Sequence, residues 1–220
     1  MKETLDFLRE LAANNHKEWF DQNRTRYKML KDRFERFTEE YIRRLAEEVD
    51  PTIAGVKAKD CIWRINRDIR FSNDKRPYKE WFGAFPAAGG GKKSPRGGYY
   101  VHIQPGQCMF AAGIWCPDKD LLRALRDDIV DNYDELEEIM AREEFREYFT
   151  DFDTDYMLTR VPNGYDANFK HADWLKRKCY TISTPLTDKQ VCDPQFMDRL
   201  IRIAQAAYPV NRFLNYRWEE

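Results

Sequence analysis

The stretch 99-YYVHIQPGQCMFAAGIWC-116 decides how this chain folds. Residues 99–104 and 107–115 are rich in aromatic and β-branched side chains, and Pro105-Gly106 stands between them as a turn signal. Two such runs joined so tightly are expected to pair antiparallel as a hairpin. The run 108-CMFAAGIWC-116 is apolar at odd and even positions alike, which predicts a central strand covered on both faces. In 99–104 the alternation puts His102 beside Tyr100 on the polar face.

Working outward, 61–71, 81–86 and 178–184 carry the same strand composition between Gly, Pro, Asn and Asp punctuation. Both ends of the chain change period. Leu5, Leu8, Leu11 and Ala12 recur at helical spacing until Asn14-Asn15, and Asn15 with Glu18 predicts an N-cap and its N3 acid. Phe20, Tyr27, Leu30, Phe34, Phe37, Tyr41, Leu45 and Val49 then form one stripe up to Pro51, a long helix weakened near 22–25. Further helices are predicted over 118–150, from Leu121 to Met140, and from Asp193-Pro194 through Phe196, Leu200, Ile203 and Ala207. No repeat or low-complexity linker divides the chain. The expectation is one α+β domain over 1–220, with a mainly antiparallel central sheet flanked by N-terminal and C-terminal helices. Its parts are a helical 1–50, a strand-rich basic 57–116 and a mixed 117–220.

Composition narrows the function classes. The 220 residues are 42% hydrophobic and 15% aromatic, enough for a substantial core, and the net charge of −1 argues against a general nucleic-acid coat. No apolar run approaches a membrane span, and the start MKETLDFLREL lacks the apolar centre of a secretion signal. Five scattered cysteines without a C-x-x-C pair read as reduced thiols in a cytoplasmic protein. Three histidines give no metal-ligand spacing, so no metal is expected. The Gly-rich 89-GGGKKSPRGG-98 fails as a phosphate loop, because Lys93 intervenes before Ser94 and Pro95 blocks a helix; a flexible hairpin loop is expected instead. Catalytic templates are absent, and Cys61 has no accompanying His.

Charge is unevenly distributed. From Lys57 to Arg96 eleven Lys/Arg stand against four Asp/Glu, and from Asp118 to Asp155 five stand against fifteen. The centre of the basic part is 64-RINRDIRFSNDKRPYK-79, where six cations are threaded with Ile65, Ile69, Phe71 and Tyr78. As a strand, 61–71 places Trp63, Ile65, Arg67, Ile69 and Phe71 on one face and Arg64, Asn66, Asp68 and Arg70 on the other. Arg67 among apolar neighbours is expected to be buried and met by a carboxylate, so that Arg67→Ala costs ~3–5 kcal/mol. Arg64 and Arg70, oriented by Asp68, are suited to grip a phosphate or carboxylate, with Lys75 and Lys79 curling back over that face and His102 as the one nameable general base. The competing expectation is an internal salt-bridge lattice bracing acids from 118–155.

These blocks carry a resemblance. F-L-R-E-L-A-A-N-N-H-K-E-W-F (7–20), R-D-I-R-F-S-N-D-K-R-P-Y-K (67–79), Y-Y-V-H-I-Q-P-G (99–106), A-A-G-I-W-C-P (111–117), V-P-N-G-Y-D (161–166) and L-K-R-K-C-Y (175–180) resemble the domain-of-unknown-function family 2461. Arg76 and the long 89–98 loop depart from its pattern. The resemblance implies an α+β domain and no reaction. It maps Arg67, Asp68, Arg70, Asp74, Lys75, Pro77, Tyr78 and Lys79, and later Gly164, Asp166 and Lys178.

The functional expectation is binding of a small anionic or phosphate-bearing ligand at the basic strand face, with catalysis open and the cofactor unknown. Its candidate residues are Arg64, Arg67, Asp68, Arg70, Asp74, Lys75, Tyr78, Lys79, His102 and Lys178. The alternative is a non-catalytic module whose basic face docks an acidic protein partner or RNA. No membrane association is expected.

Overall fold

In the computed structural model, which describes residues 1–218, the quoted hairpin is the middle of a four-stranded antiparallel sheet. Its strands are β1 (Phe82–Ala84), β2 (Gly98–Ile103), β3 (Cys108–Ile114) and β4 (Tyr180–Leu186), in the order β1-β2-β3-β4. The register sets Tyr100 opposite Ala111 and His102 opposite Met109, while Phe110 faces Thr184 on the other side. Gly106 takes φ +72, and the Gln107 amide donates to the Gln104 carbonyl at 2.9 Å, so a residue tolerant of left-handed backbone closes the turn. The central position of β3 follows from its two-sided apolarity: both of its edges are bonded, and every residue except Met109 is buried.

Helices cover one face only. In chain order they are α1 (Lys2–Ala13), α2 (Lys17–Gln22), α3 (Arg24–Glu48), α4 (Ala58–Cys61), α5 (Lys119–Asp131), α6 (Tyr133–Ala141), α7 (Glu143–Arg146), α8 (Ala172–Lys176), α9 (Asp188–Cys192) and α10 (Phe196–Asn215). The core forms where α10, α3 and α1 meet Tyr99, Val101, Ile103, Phe110, Tyr180 and Ile182, all fully buried. The opposite, outer face carries Tyr100, His102, Met109 and Ser183, which are only half-buried.

Several boundaries differ from the expectations. The long N-terminal helix breaks at Asn23, inside the weakened stretch. The cap of α2 is His16, whose side chain accepts from the Trp19 amide, so Asn15 is released for another role. Helix α10 begins at Phe196, because Asp193 and Pro194 form a turn in which the Gln195 amide donates to Asp193. The Gly-rich loop is docked, with a short 3-10 turn at Gly91–Lys93. A Cβ on Gly91 would lie 2.8 Å from the Asp60 carbonyl, a close approach that only glycine allows.

The main correction concerns 61–71, which is no strand. Helix α4 ends at Cys61, and the chain then runs extended beside β1 with single bridges, Ile62 to Ala84 and Asn66 to Tyr78. Two side chains explain the interruption. The carboxylates of Asp68 and Asp74 each accept the amide two residues on, from Arg70 at 3.3 Å and Arg76 at 3.0 Å. Such local turns compete with a ladder, and Pro77 has no amide to donate to one.

Candidate functional site

Residues 62–79 form an irregular hairpin that continues the sheet past the edge of β1. The Lys79 amide donates to the Ile65 carbonyl at 2.7 Å and the Arg67 amide to the Pro77 carbonyl at 2.9 Å. Trp63, expected on the core face, packs against Tyr100 on the outer face while Ile62 joins the core. From Arg64 onward the alternation survives without the strand, with Ile65, Arg67 and Ile69 buried or half-buried and Arg64, Asn66, Asp68 and Arg70 exposed. It fails at Phe71, which stands 96% exposed at the tip.

One part of the basic cluster is internally satisfied. Arg67 Nη1 donates to Asp74 Oδ2 at 2.7 Å and to the Arg76 carbonyl at 3.2 Å. Arg76 grips the same Asp74 and reaches Glu80 at 2.6 Å. These guanidinium bonds hold the Asp74 carboxyl well below the usual carboxylate range. Arg70 closes on Asp68 through two bonds, 2.9 and 2.6 Å, and lowers its pKa in the same way. The acids are local, and none of these pairs involves 118–155. Arg67 is half-buried rather than buried, with a quarter of its side chain exposed.

A second part is not satisfied by acids. Lys79 Nζ donates to the carbonyls of Arg64 (2.7 Å) and Asn66 (3.0 Å) and lies 5.5 Å from the Trp81 ring. Its pKa is lowered, first by burial and then by the nearby Arg64 and Arg67 guanidiniums. Among the described residues no carboxylate pairs with Lys79, Arg64 or Lys75; Lys75 Nζ is held by the Ile69 carbonyl at 3.1 Å.

Beside Lys79 the outer sheet face is aromatic. Trp81 lies 5.0 Å from His102, Trp63 lies 5.4 Å from Tyr100, and the two indoles are 6.0 Å apart. His102 Nδ1 shares a hydrogen bond with the Tyr100 hydroxyl at 2.6 Å and Nε2 shares one with Gln104 Oε1 at 2.9 Å; in the neutral ring that burial favours, Nε2–H donates to Gln104 and Nδ1 accepts from Tyr100. Burial lowers the His102 pKa accordingly. With both ring nitrogens engaged, His102 is committed to this relay.

Two of the predicted positions stand apart. Tyr78 is a core residue, 6% exposed, stacked on Phe20 at 3.9 Å, and its backbone is clamped at both N–H and C=O by the Asn15 side chain. Lys178 is exposed just before β4, at the sheet edge opposite to β1, about 14 Å away at normal strand spacing. Trp81 and Asn15 carried no sequence signal for this place; Tyr100 did, through its shared face with His102. Two cavities lie elsewhere, one of about 270 Å³ lined by Thr52, Lys57, Asp60, Gly89 and Gly90, and a smaller one by Asp50, Arg96 and Trp218. No group of three His, Cys, Asp or Glu among the described residues is arranged to hold a metal ion. No described helix is long and apolar enough to cross a membrane.

The model of a family described as "Conserved hypothetical protein (DUF2461)" matches residues 3–213. The chain belongs to that family. The matched span takes in every candidate residue, from Arg64 to Lys178, and both termini of the sheet. No curated protein and no solved structure matches the DUF2461 chain.

Proposed function

We propose that the chain binds a small anionic, phosphate-bearing ligand where Arg64 and Lys79 meet the aromatic outer face of the sheet. The observation that carries this reading is Lys79: a half-buried ammonium with two guanidinium neighbours and only carbonyls for partners. An anion placed there relieves a like-charge cluster and replaces water around a partly desolvated cation. Trp63, Trp81 and Tyr100 supply flat walls beside it. The reading is one of binding, and no reaction is assigned.

The test is thermal unfolding in phosphate against chloride at matched ionic strength, which removes general screening. Phosphate at about a hundredfold excess over Kd is expected to stabilise the fold by about 2.7 kcal/mol and raise Tm by roughly 5–10 °C. The gain should vanish in Arg64→Ala with Lys79→Ala and persist in Arg70→Ala, whose guanidinium is already spent on Asp68. Equal melting temperatures in the two salts defeat the reading.

A second reading has one observation of its own. Phe71 is 96% exposed at the tip of the same hairpin, with the Arg70 guanidinium 5.9 Å over its ring. An exposed aromatic beside a guanidinium suits a module that docks an acidic protein partner or RNA without catalysis. Phe71→Ala would then abolish partner binding and leave the phosphate effect intact.

A further inference from the structure

We infer that Cys116 and Cys179 form a dithiol site oxidised by a small hydroperoxide to an intramolecular disulfide. Cys116 lies two residues past Ile114, the last residue of β3, and Cys179 immediately precedes Tyr180, the first of β4; Ile114 and Tyr180 are register partners. The two sulfurs are 3.1 Å apart, and the Cys116 amide donates to Cys179 Sγ at 3.2 Å. A disulfide needs about 2.05 Å, so the sulfurs close by about 1 Å to bond. Cys116 is exposed and Cys179 is buried. This gives the pair one sulfur for the oxidant and one shielded from it.

The backbone holds the arrangement. Cys116 has φ +46, a left-handed value uncommon outside glycine, at the point where the chain leaves β3. On the other side the Lys178 amide donates to the Tyr156 carbonyl at 3.1 Å, and the Tyr156 ring meets Trp115 at 5.4 Å in an edge contact. The residues before both cysteines are therefore tied to the same loop. The other thiols have no such partner. Cys61 and Cys108 are buried, which pushes their thiols up to about 12 and about 11, and exposed Cys192 lies near Cys108 without the sulfur–sulfur contact that joins Cys116 and Cys179.

The chemistry balances in two steps. Cys116 sulfur attacks the peroxide R–O–O–H; the O–O bond breaks, Cys116 becomes a sulfenic acid, and R–O–H leaves with the thiol proton. Cys179 sulfur then attacks Cys116 sulfur; the S–S bond forms, the S–OH bond breaks, and the hydroxyl leaves as water with the Cys179 proton. Two electrons pass from the two sulfurs to the peroxide. Cys179 is shielded from the oxidant by burial, which with the neighbouring Cys116 sulfur also pushes its thiol pKa up, and it therefore serves as the resolving sulfur. Once formed, the bond closes the loop from 116 to 179, which contains α5 to α8, and ties the end of β3 to the start of β4.

The test treats the fully reduced chain with one equivalent of hydrogen peroxide. Two of the five thiols should disappear, and digestion should yield one linked peptide pair, Cys116 with Cys179, lighter by two hydrogens and restored by dithiothreitol. The oxidised form should melt roughly 5–15 °C higher. Cys179→Ser should stop at a Cys116 sulfenic acid, trapped by a 1,3-diketone. Cys116→Ser changes an exposed position, leaves the core untouched and should give no linked pair, so the assignment is decided even where Cys179→Ser fails to fold. Oxidation falling mainly on Cys192, or disulfides formed only between molecules, overturns the inference.

Discussion

Asp74 settles how Arg67 is held. Its carboxylate takes both Arg67 and Arg76, so removing Arg67 leaves the acid charged, paired and a third exposed. The cost of Arg67→Ala is accordingly that of one charge-assisted hydrogen bond in a half-wet site, about 1–2 kcal/mol by urea unfolding, and not the ~3–5 of an orphaned buried acid. A loss above 3 kcal/mol would mean that Arg76 does not back up the pair. Spacing within the sequence showed that an acid must meet Arg67, but a carboxylate seven residues away becomes a neighbour only once the chain folds back at 69–75. The arginines that are truly buried, Arg126 at 7% and Arg177 at 3%, sit in helical and loop contexts with no alternation to announce them. His102 gives the pH prediction. Its folded pKa is below its ordinary 6.5 through burial, which outweighs the opposing hydrogen bond to Gln104. The unfolded chain therefore takes up a proton first as pH falls. Stability from this group is full above 6.5 and drains away as pH drops from 6.5 toward the folded pKa. The decline in Tm from pH 7 to 5 should be shallower in His102→Gln, and identical slopes would exclude His102 as its source.

At the scale of elements, the hairpin and the basic segment show what local pattern can and cannot specify. In β2 and β3 a turn dipeptide, two-sided apolarity and alternation all agree, and the observed strands lie within one or two residues of the expected ranges. Amide exchange should confirm the consequence: the protected amides of 108–114, bonded on both edges, should be among the slowest in the molecule, and those of 69–75 among the fastest. Comparable rates in the two segments would deny β3 its central place. In 61–71 composition and alternation also agreed with a strand, yet Asp68, Asp74 and Pro77 supply local bonds or remove donors one position at a time. Side-chain alternation records which way residues point, and a ladder needs in addition free backbone groups and a partner edge. That is why the inward and outward residues of 64–70 were legible while the element was not. The Asn15 clamp on Tyr78 was illegible for a different reason: it joins residues whose separation in sequence carries no periodic signal.

Across the whole molecule, the two ends of the chain meet in one core, and this makes the strongest demand on cooperativity. Phe196 at the start of α10 stacks on Phe37 of α3 at 5.8 Å, Arg44 pairs with Asp198, and the Asn215 side chain bonds the backbone of Gly97 next to β2. Helix α10 also buries Leu200, Ile203, Ala207, Val210 and Phe213 against the sheet. The acidic stretch 118–155 is no separate body, since Leu125, Ile129, Leu136, Phe145 and Phe149 belong to the same buried cluster. The uneven charge along the sequence therefore marks solvent-facing sides of one body rather than a boundary between two. Calorimetry can decide this. A chain of 220 residues unfolding as a unit should absorb about 150 kcal/mol near 60 °C, with the van't Hoff enthalpy equal to the calorimetric one. If the basic part 57–116 and the acidic helices unfolded independently, the van't Hoff value would be about half as large and the peak would broaden or split. Ending the chain before Phe196 removes the partner of α3 and β3 together, so the shortened protein should show no cooperative peak at all. A sharp transition in the shortened chain would mean that the sheet and N-terminal helices fold without α10, against the single core described above.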